Sequence, residues 1–126
     1  MNPKNVLLWV CRTIAAAILL QTLYFKFTGA PESVYIFSKV GMEPEGRYAT
    51  GIAELVAAIL LVIPATSFFG ALLAFFIMIG AIATHVMILG IEVEGDKGLL
   101  FAYAIIVAIT SGYVIVRSTK KKRRQP

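Results

Sequence analysis

The chain has one cysteine and one histidine among its 126 residues, and this scarcity excludes several kinds of chemistry. A single cysteine, Cys11, forms neither an intrachain disulfide nor a C-x-x-C redox pair. A single histidine, His85, cannot supply both axial ligands of a bis-histidine haem, and one cysteine cannot hold an iron–sulfur cluster. Zinc-ligand spacings, glycine-rich phosphate loops and G-x-S-x-G elbows are also absent from the sequence. We therefore predict no metal or haem site.

Charge is scarce as well, because only 15% of the residues are charged and 59% are hydrophobic. The hydrophobic residues form four long runs, at about residues 6–27, 47–63, 68–91 and 99–116. About 20 mostly apolar residues suffice for a helix to cross a bilayer. These runs predict an all-α membrane protein, an antiparallel bundle of four transmembrane helices that forms one domain over residues 1–116.

A short helix is predicted between the first and second spans. Pro31 follows a helix stop at Gly29, and apolar residues recur at helical spacing from Val34 through Phe37 to Val40. This pattern is typical of an amphipathic helix that lies in the membrane interface. Gly41 is expected to end it.

The basic residues are concentrated at the C-terminus, where residues 117–124 hold six of the twelve. This distribution predicts a disordered basic tail over residues 117–126 and no nucleic-acid-binding surface. The positive-inside rule places such a tail in the cytoplasm, and an even number of spans places the N-terminus there too. The loops expected outside hold six of the seven acidic residues: Glu32, Glu43, Glu45, Glu92, Glu94 and Asp96.

The seventh acidic residue, Glu54, lies within the second apolar run. A charge at membrane depth costs from about 2.5 to more than 10 kcal/mol, so Glu54 needs polar neighbours. The predicted topology brings Lys26 and His85 to the same outer half of the bundle. Gln21 and Tyr103 are expected at a similar level, and Arg12 in the inner half.

The residues leave three interpretations of this cluster open. In the first, Glu54 pairs with Lys26 or Arg47 and fixes helix packing. In the second, the cluster lines a pocket for a lipid-soluble ligand such as a quinone, with Glu54 and His85 as catalytic candidates. Its ligand-binding candidates are Lys26, Gln21, Arg12 and Tyr103. In the third, Glu54 serves a small proton-coupled transporter.

The run KVGMEPEGRYATGIAELVAAILLVIP resembles the central signature of the DoxX and DoxX-like family of small four-helix membrane proteins. The family's G-x-x-E motif corresponds to Gly51 and Glu54, and Pro64 closes the helix. Its early arginine and its lysine at the end of the first helix correspond to Arg12 and Lys26. Leu23 stands where a glycine is expected before that lysine, which is a departure from the pattern.

The resemblance implies the four-helix architecture, a location in a bacterial inner membrane, and a membrane subunit of a quinone-linked redox complex that is not catalytic alone. An assembly or scaffold subunit is the alternative that the family also includes. The expected partners are the lipid bilayer, a soluble redox enzyme or another membrane subunit, and further copies of the chain.

Overall fold

The computed structural model describes residues 2–124, with side chains as far as residue 119. These residues form five α-helices, which we number in chain order: α1 (Pro3–Thr28), α2 (Pro31–Lys39), α3 (Glu45–Val62), α4 (Ser67–Thr84) and α5 (Leu99–Arg124). A 3₁₀ turn, Pro64–Thr66, joins α3 to α4, and a π-helical turn, His85–Leu89, continues α4.

Local sequence signals define the ends of α1 and the start of α2. The side chain of Asn2 accepts a hydrogen bond from the backbone N–H of Lys4 at 2.9 Å, which caps the start of α1. Gly29 ends α1 with a left-handed backbone, φ 71°, which glycine adopts without a steric penalty. Pro31 then occupies the first turn of α2, where its missing N–H is not needed. The predicted short helix after the first span is therefore present, and it ends at Lys39.

The four long helices form a ring in which α1 packs on α3 and α5, while α4 packs on the same two helices. Neighbouring helices run antiparallel. Arg12 contacts Leu61 and Lys26 contacts Glu54 between α1 and α3, so residue numbers rise in opposite directions. We call the end of the bundle that carries the short helix the α2 end.

Residue size is distributed in the reverse of the pattern found in soluble proteins. Small residues dominate the interior, which includes Ala15, Ala16, Ala57, Ala58, Ala71, Ala74, Ala104 and Ala108. Large apolar side chains point outward, and Phe76 and Ile109 are 69% and 67% exposed. Small interior residues let helices approach closely within a membrane, and an extensive apolar exterior fits lipid. The described surface is therefore suited to contact with a lipid bilayer.

Three helical segments are long and apolar enough to cross a membrane: Pro3–Thr28, Pro64–Leu89 and Leu99–Thr119. They coincide with the first, third and fourth predicted spans. The second predicted span corresponds to α3, which is not among the three because its 18 residues include Glu45, Arg47 and Glu54. The all-helical prediction is confirmed, and the number of spans shown by composition is three.

The C-terminal segment differs from the prediction of disorder, because the backbone of α5 remains helical to Arg124. No glycine or proline follows Gly112 before Pro126, so the sequence contains no strong helix breaker there. Cations at the end of a helix also interact favourably with its dipole. Residues 125–126 of the predicted tail lie outside the described residues.

Candidate functional site

Glu54 lies at the centre of a buried polar cluster between α1 and α3. It is 1% exposed, and each of its carboxylate oxygens contacts one polar group of α1. The ammonium of Lys26 lies 2.7 Å from Oε1, and the hydroxyl of Thr22 donates to Oε2 at 2.7 Å. Because Thr22 and Lys26 are one turn apart on α1, they present both groups to the same carboxylate. The cluster thus joins the two helices through a neutralised charge.

Close packing of α1 on α3 lets these short side chains meet. Gly51 faces the ring of Phe27, and a Cβ atom at Gly51 would stand 2.9 Å from that ring. Real Cβ atoms essentially never come that close, so a larger residue would displace the ring of Phe27. Gly51 therefore leaves room for the Phe27 ring of α1 beside Glu54, which lies three residues along the same face of α3.

Arg47 belongs to a separate ion pair. Its guanidinium contacts Glu43, with Nη2 2.9 Å from Oε1 and Nε 3.0 Å from each carboxylate oxygen. Its Nη1 also donates to the backbone carbonyl of Lys26. Of the two partners that the sequence suggested for Glu54, Lys26 is the one present. Arg47 instead fixes the backbone of that lysine.

A cavity of about 780 Å³ opens beside the Glu54 cluster at the α2 end. All five α-helices contribute to its wall, which is mainly apolar. The polar side chains in the wall include five predicted candidates together with two others: Gln21, Lys26, Glu54, His85 and Tyr103, with Thr22 and Asp96. The structure therefore brings Lys26, Glu54 and His85 to one cavity, as the predicted depths required.

His85 occupies the first position of the π-helical turn and is 5% exposed. Its Nδ1 lies 3.0 Å from the carbonyl oxygen of Gly90, and its ring packs edge-on against Phe101 at 5.5 Å between centroids. A carbonyl oxygen only accepts, so Nδ1 carries the proton of this hydrogen bond. In the neutral ring, Nε2 is then left as an acceptor. Single π-turns of this kind often occur at functional sites.

Asp96 organises the loop between the π-helical turn and α5. Its carboxylate accepts hydrogen bonds from the backbone N–H groups of Val93, Gly98 and Leu100 at 3.0, 2.8 and 3.1 Å. Burial by itself raises the pKa of Asp96, but these three donors, with an attraction to His85, outweigh it and hold the pKa below its ordinary value. The charged form of Asp96 therefore stabilises the loop that borders the cavity.

Arg12 lies apart from the cavity, toward the opposite end of the bundle, and does not line it. It is 3% exposed, and its Nε donates to the carbonyl oxygen of Leu61 at 2.7 Å. This carbonyl belongs to the last turn of α3, where carbonyl groups lack partners within the helix. The ring of Trp9 covers the guanidinium with its centroid 3.9 Å from Cζ. Arg12 therefore caps α3, which agrees with its predicted separation from Lys26.

Sequence reasoning missed Thr22 and Asp96 as polar groups of the cavity, and Glu43 as the partner of Arg47. Thr22 was detectable in principle, since it precedes Lys26 by four residues and shares its helical face. Glu43 precedes Arg47 by the same interval. Asp96 had no signal in the apolar periodicity, because it belongs to a loop that folds back over the cavity.

Comparison with known proteins gives one family match. The sequence model of the DoxX-like family matches residues 10–111, which include every candidate site residue discussed above. No curated protein and no solved structure matches the chain.

Proposed function

The chain is a membrane protein of the DoxX-like family, and from this premise we propose that it is a subunit of a quinone-linked redox complex. The ligand is a lipid-soluble quinone whose headgroup occupies the cavity at the α2 end. The observation that carries this proposal is the combination of an apolar cavity of about 780 Å³ with the buried Lys26–Glu54 pair in its wall. Small-molecule sites commonly have volumes of about 300–1,000 Å³ and a few convergent polar groups.

Lys26 is the residue best suited to hold a quinone carbonyl. An ammonium has three N–H donors, and Glu54 engages the lysine through one carboxylate oxygen. A second donor can therefore reach a ligand oxygen without loss of the ion pair. The side chain of Lys26 is 17% exposed, so it is accessible from the cavity. In this proposal Glu54 keeps Lys26 charged and oriented.

His85 has the opposite hydrogen-bonding character at another part of the same wall. Because Nδ1 donates to Gly90, the neutral ring offers Nε2 as an acceptor. A site with a donor at Lys26 and an acceptor at His85 accommodates a carbonyl at one position and a hydroxyl at another. Gln21 and Tyr103 are further polar groups for orientation.

We also propose that α3 crosses the membrane as well, as the second of four spans in a domain over residues 1–116. Its 18 residues extend about 27 Å, close to the thickness of a hydrocarbon core. Its two buried charged groups are paired: Glu54 with Lys26, and Arg47 with Glu43. Four spans place both termini on one side, and the basic C-terminus indicates the cytoplasmic side of a bacterial inner membrane.

The test is to purify the protein in a mild detergent, extract it with organic solvent and measure quinone per protein chain. We expect the wild type to retain quinone and Glu54→Gln to retain less, because Lys26 loses its charged partner. Glu45→Gln is the matched control, since Glu45 is an exposed carboxylate on the same helix. Retention by that variant should equal that of the wild type.

A wild type that neither contains extractable quinone nor binds an added short-chain quinone would refute this proposal. A non-catalytic scaffold subunit is the second candidate, favoured by the complete pairing of Glu54 with Lys26 and Thr22. It predicts that a partner protein co-purifies with the chain and that Glu54→Gln weakens this association without any effect on quinone.

A further inference from the structure

The end of the bundle opposite α2 contains buried positive charge without a carboxylate partner. Arg12 is 3% exposed, and its Nη2 has no hydrogen-bond partner among the described residues. The nitrogen Nε of Arg117 is also buried and unpartnered within the described part of the chain. A buried nitrogen of a charged group that lacks a partner is costly, so each guanidinium calls for an acceptor.

These two arginines lie at one level of the bundle. The ring of Phe75 packs against Gly112, which fixes the register of α4 against the antiparallel α5. Five residues farther toward this end, Gly70 is therefore level with Arg117. Gly70 in turn packs directly on the backbone of Leu61, whose carbonyl binds Arg12. Since α1 also packs on α5, this register assigns both arginines to one layer on adjacent helices.

Acidic side chains cannot supply the missing acceptor in this layer. All seven acidic residues of the chain lie elsewhere. Six belong to α2, the turn after it, the start of α3 or the loop before α5, and the seventh is Glu54 within α3. Glu54 is the acidic residue nearest to Leu61 along α3, and it lies seven residues, or about 10 Å, away along the axis. Both of its oxygens are already engaged by Lys26 and Thr22. The charge in the layer thus exceeds what the described side chains neutralise.

We propose that this layer binds a phosphate group, and that Arg12 and Arg117 hold it. The planar guanidinium fork matches phosphate oxygens in pairs, and basic sites between membrane helices suit the headgroups of anionic lipids. Trp9 is the gate to the site, because its ring covers the guanidinium of Arg12 and is itself 42% exposed. A phosphate that reaches Arg12 displaces this ring. The site is separate from the cavity and independent of the proposed quinone function.

Trp9 also provides the measurement, since it is the only tryptophan of the chain. The protein in a non-ionic detergent is titrated with short-chain phosphatidylglycerol, with phosphatidylcholine of the same chain length and with inorganic phosphate. We expect a saturable change in Trp9 fluorescence with phosphatidylglycerol. Arg12→Gln should weaken the apparent affinity by about tenfold to hundredfold, because a hydrogen-bonded charge is lost. Lys39→Gln, which removes an exposed charge at the α2 end, should leave it unchanged.

The arms of the titration distinguish the sources of phosphate. An Arg12-dependent response to phosphatidylglycerol alone assigns the site to a lipid headgroup, and an equal response to inorganic phosphate assigns it to the free anion. Either result supports the proposal. A response that is absent, or that Arg12→Gln leaves intact, overturns it. If Arg12→Gln does not fold, Arg117→Gln decides the matter, because it preserves the cap on α3, and unchanged affinity in that variant overturns the shared site.

Discussion

The Lys26–Glu54 pair allows a prediction in which two conservative substitutions have unequal effects. Lys26→Met removes the ammonium and keeps much of the apolar stem. Glu54→Gln removes the negative charge and keeps the shape of the side chain. Both substitutions break the same 2.7 Å ion pair, so a simple count of contacts predicts equal losses of stability. Burial and the remaining partners predict otherwise.

The magnitudes follow from what each substitution leaves behind. Lys26→Met leaves the Glu54 carboxylate 1% exposed with Thr22 as its remaining hydrogen-bond partner, and an uncompensated buried charge costs about 3–5 kcal/mol. Glu54→Gln leaves Lys26 17% exposed, so its flexible stem can carry the ammonium toward water. The amide oxygen of the new glutamine can still accept from Thr22, so we expect a loss of about 1–2 kcal/mol.

The double variant Lys26→Met/Glu54→Gln completes a thermodynamic cycle. It contains no buried charge at this site, so it should be more stable than Lys26→Met alone, although it carries one more substitution. The free energies of unfolding can be compared by far-UV circular dichroism in mixed micelles with increasing SDS. Glu45→Gln is the control for a surface carboxylate on the same helix and should change stability by less than about 0.5 kcal/mol.

Two results would refute this reasoning. If Lys26→Met and Glu54→Gln destabilise the protein equally, the unequal burial of the two groups does not govern the energetics. If the double variant is less stable than Lys26→Met, the cost does not arise from a buried carboxylate without its counterion, and the ion pair contributes mainly through packing.

Two further predictions concern the helix contacts and the loop. Gly70→Ala should lower the free energy of unfolding by about 1–3 kcal/mol, because its Cβ would stand 2.6 Å from the backbone nitrogen of Leu61. Gly80→Ala should raise it by about 0.5–1 kcal/mol, because alanine is favoured over glycine inside a helix and its Cβ would meet no atom of a neighbouring helix within 4 Å; the reverse order in denaturation would contradict this packing. The lowered pKa of Asp96 means that its stabilising contribution is present above the unfolded pKa of about 3.9 and is lost as the pH falls through the lower folded value. Thermal unfolding between pH 5 and 3 should therefore depend more steeply on pH in the wild type than in Asp96→Asn, and parallel profiles would refute this role.

The register of regular helices explains why the main pair was predictable. Residues advance 1.5 Å along a helix, so a topology assigns a depth to each side chain. That depth brought Lys26 near Glu54, and the structure has the two in contact at 2.7 Å. The face of α1 that holds Arg12, Ala15, Ala16 and Leu19 is buried, because helical periodicity governs which face of α1 meets its neighbours.

The elements that escaped prediction depend on local geometry. The apolar run predicts that the third span reaches Ile91, whereas the π-helical turn that continues α4 ends at Leu89. The carbonyl of Gly90 then contacts His85. Apolar periodicity does not encode that change of hydrogen-bond pattern. Nor does it show that Asp96 gathers three backbone donors, since a loop has no period. The volume of the cavity is also not encoded in that periodicity, because it results from how five helices are spaced.

The position of the Lys26–Glu54 pair favours a role beyond helix packing. Around Ala57 and Ala58, α3 packs within the interior without an ion pair, so the bundle does not require one for close contact. A buried ion pair also brings a desolvation cost that apolar side chains of similar volume avoid. The pair lies instead in the wall of the cavity, where an ammonium with spare donors can bind a ligand oxygen. A double variant Lys26→Met/Glu54→Gln that keeps its fold but loses quinone would therefore separate the two roles, whereas one that keeps both would contradict a role of the pair in quinone binding.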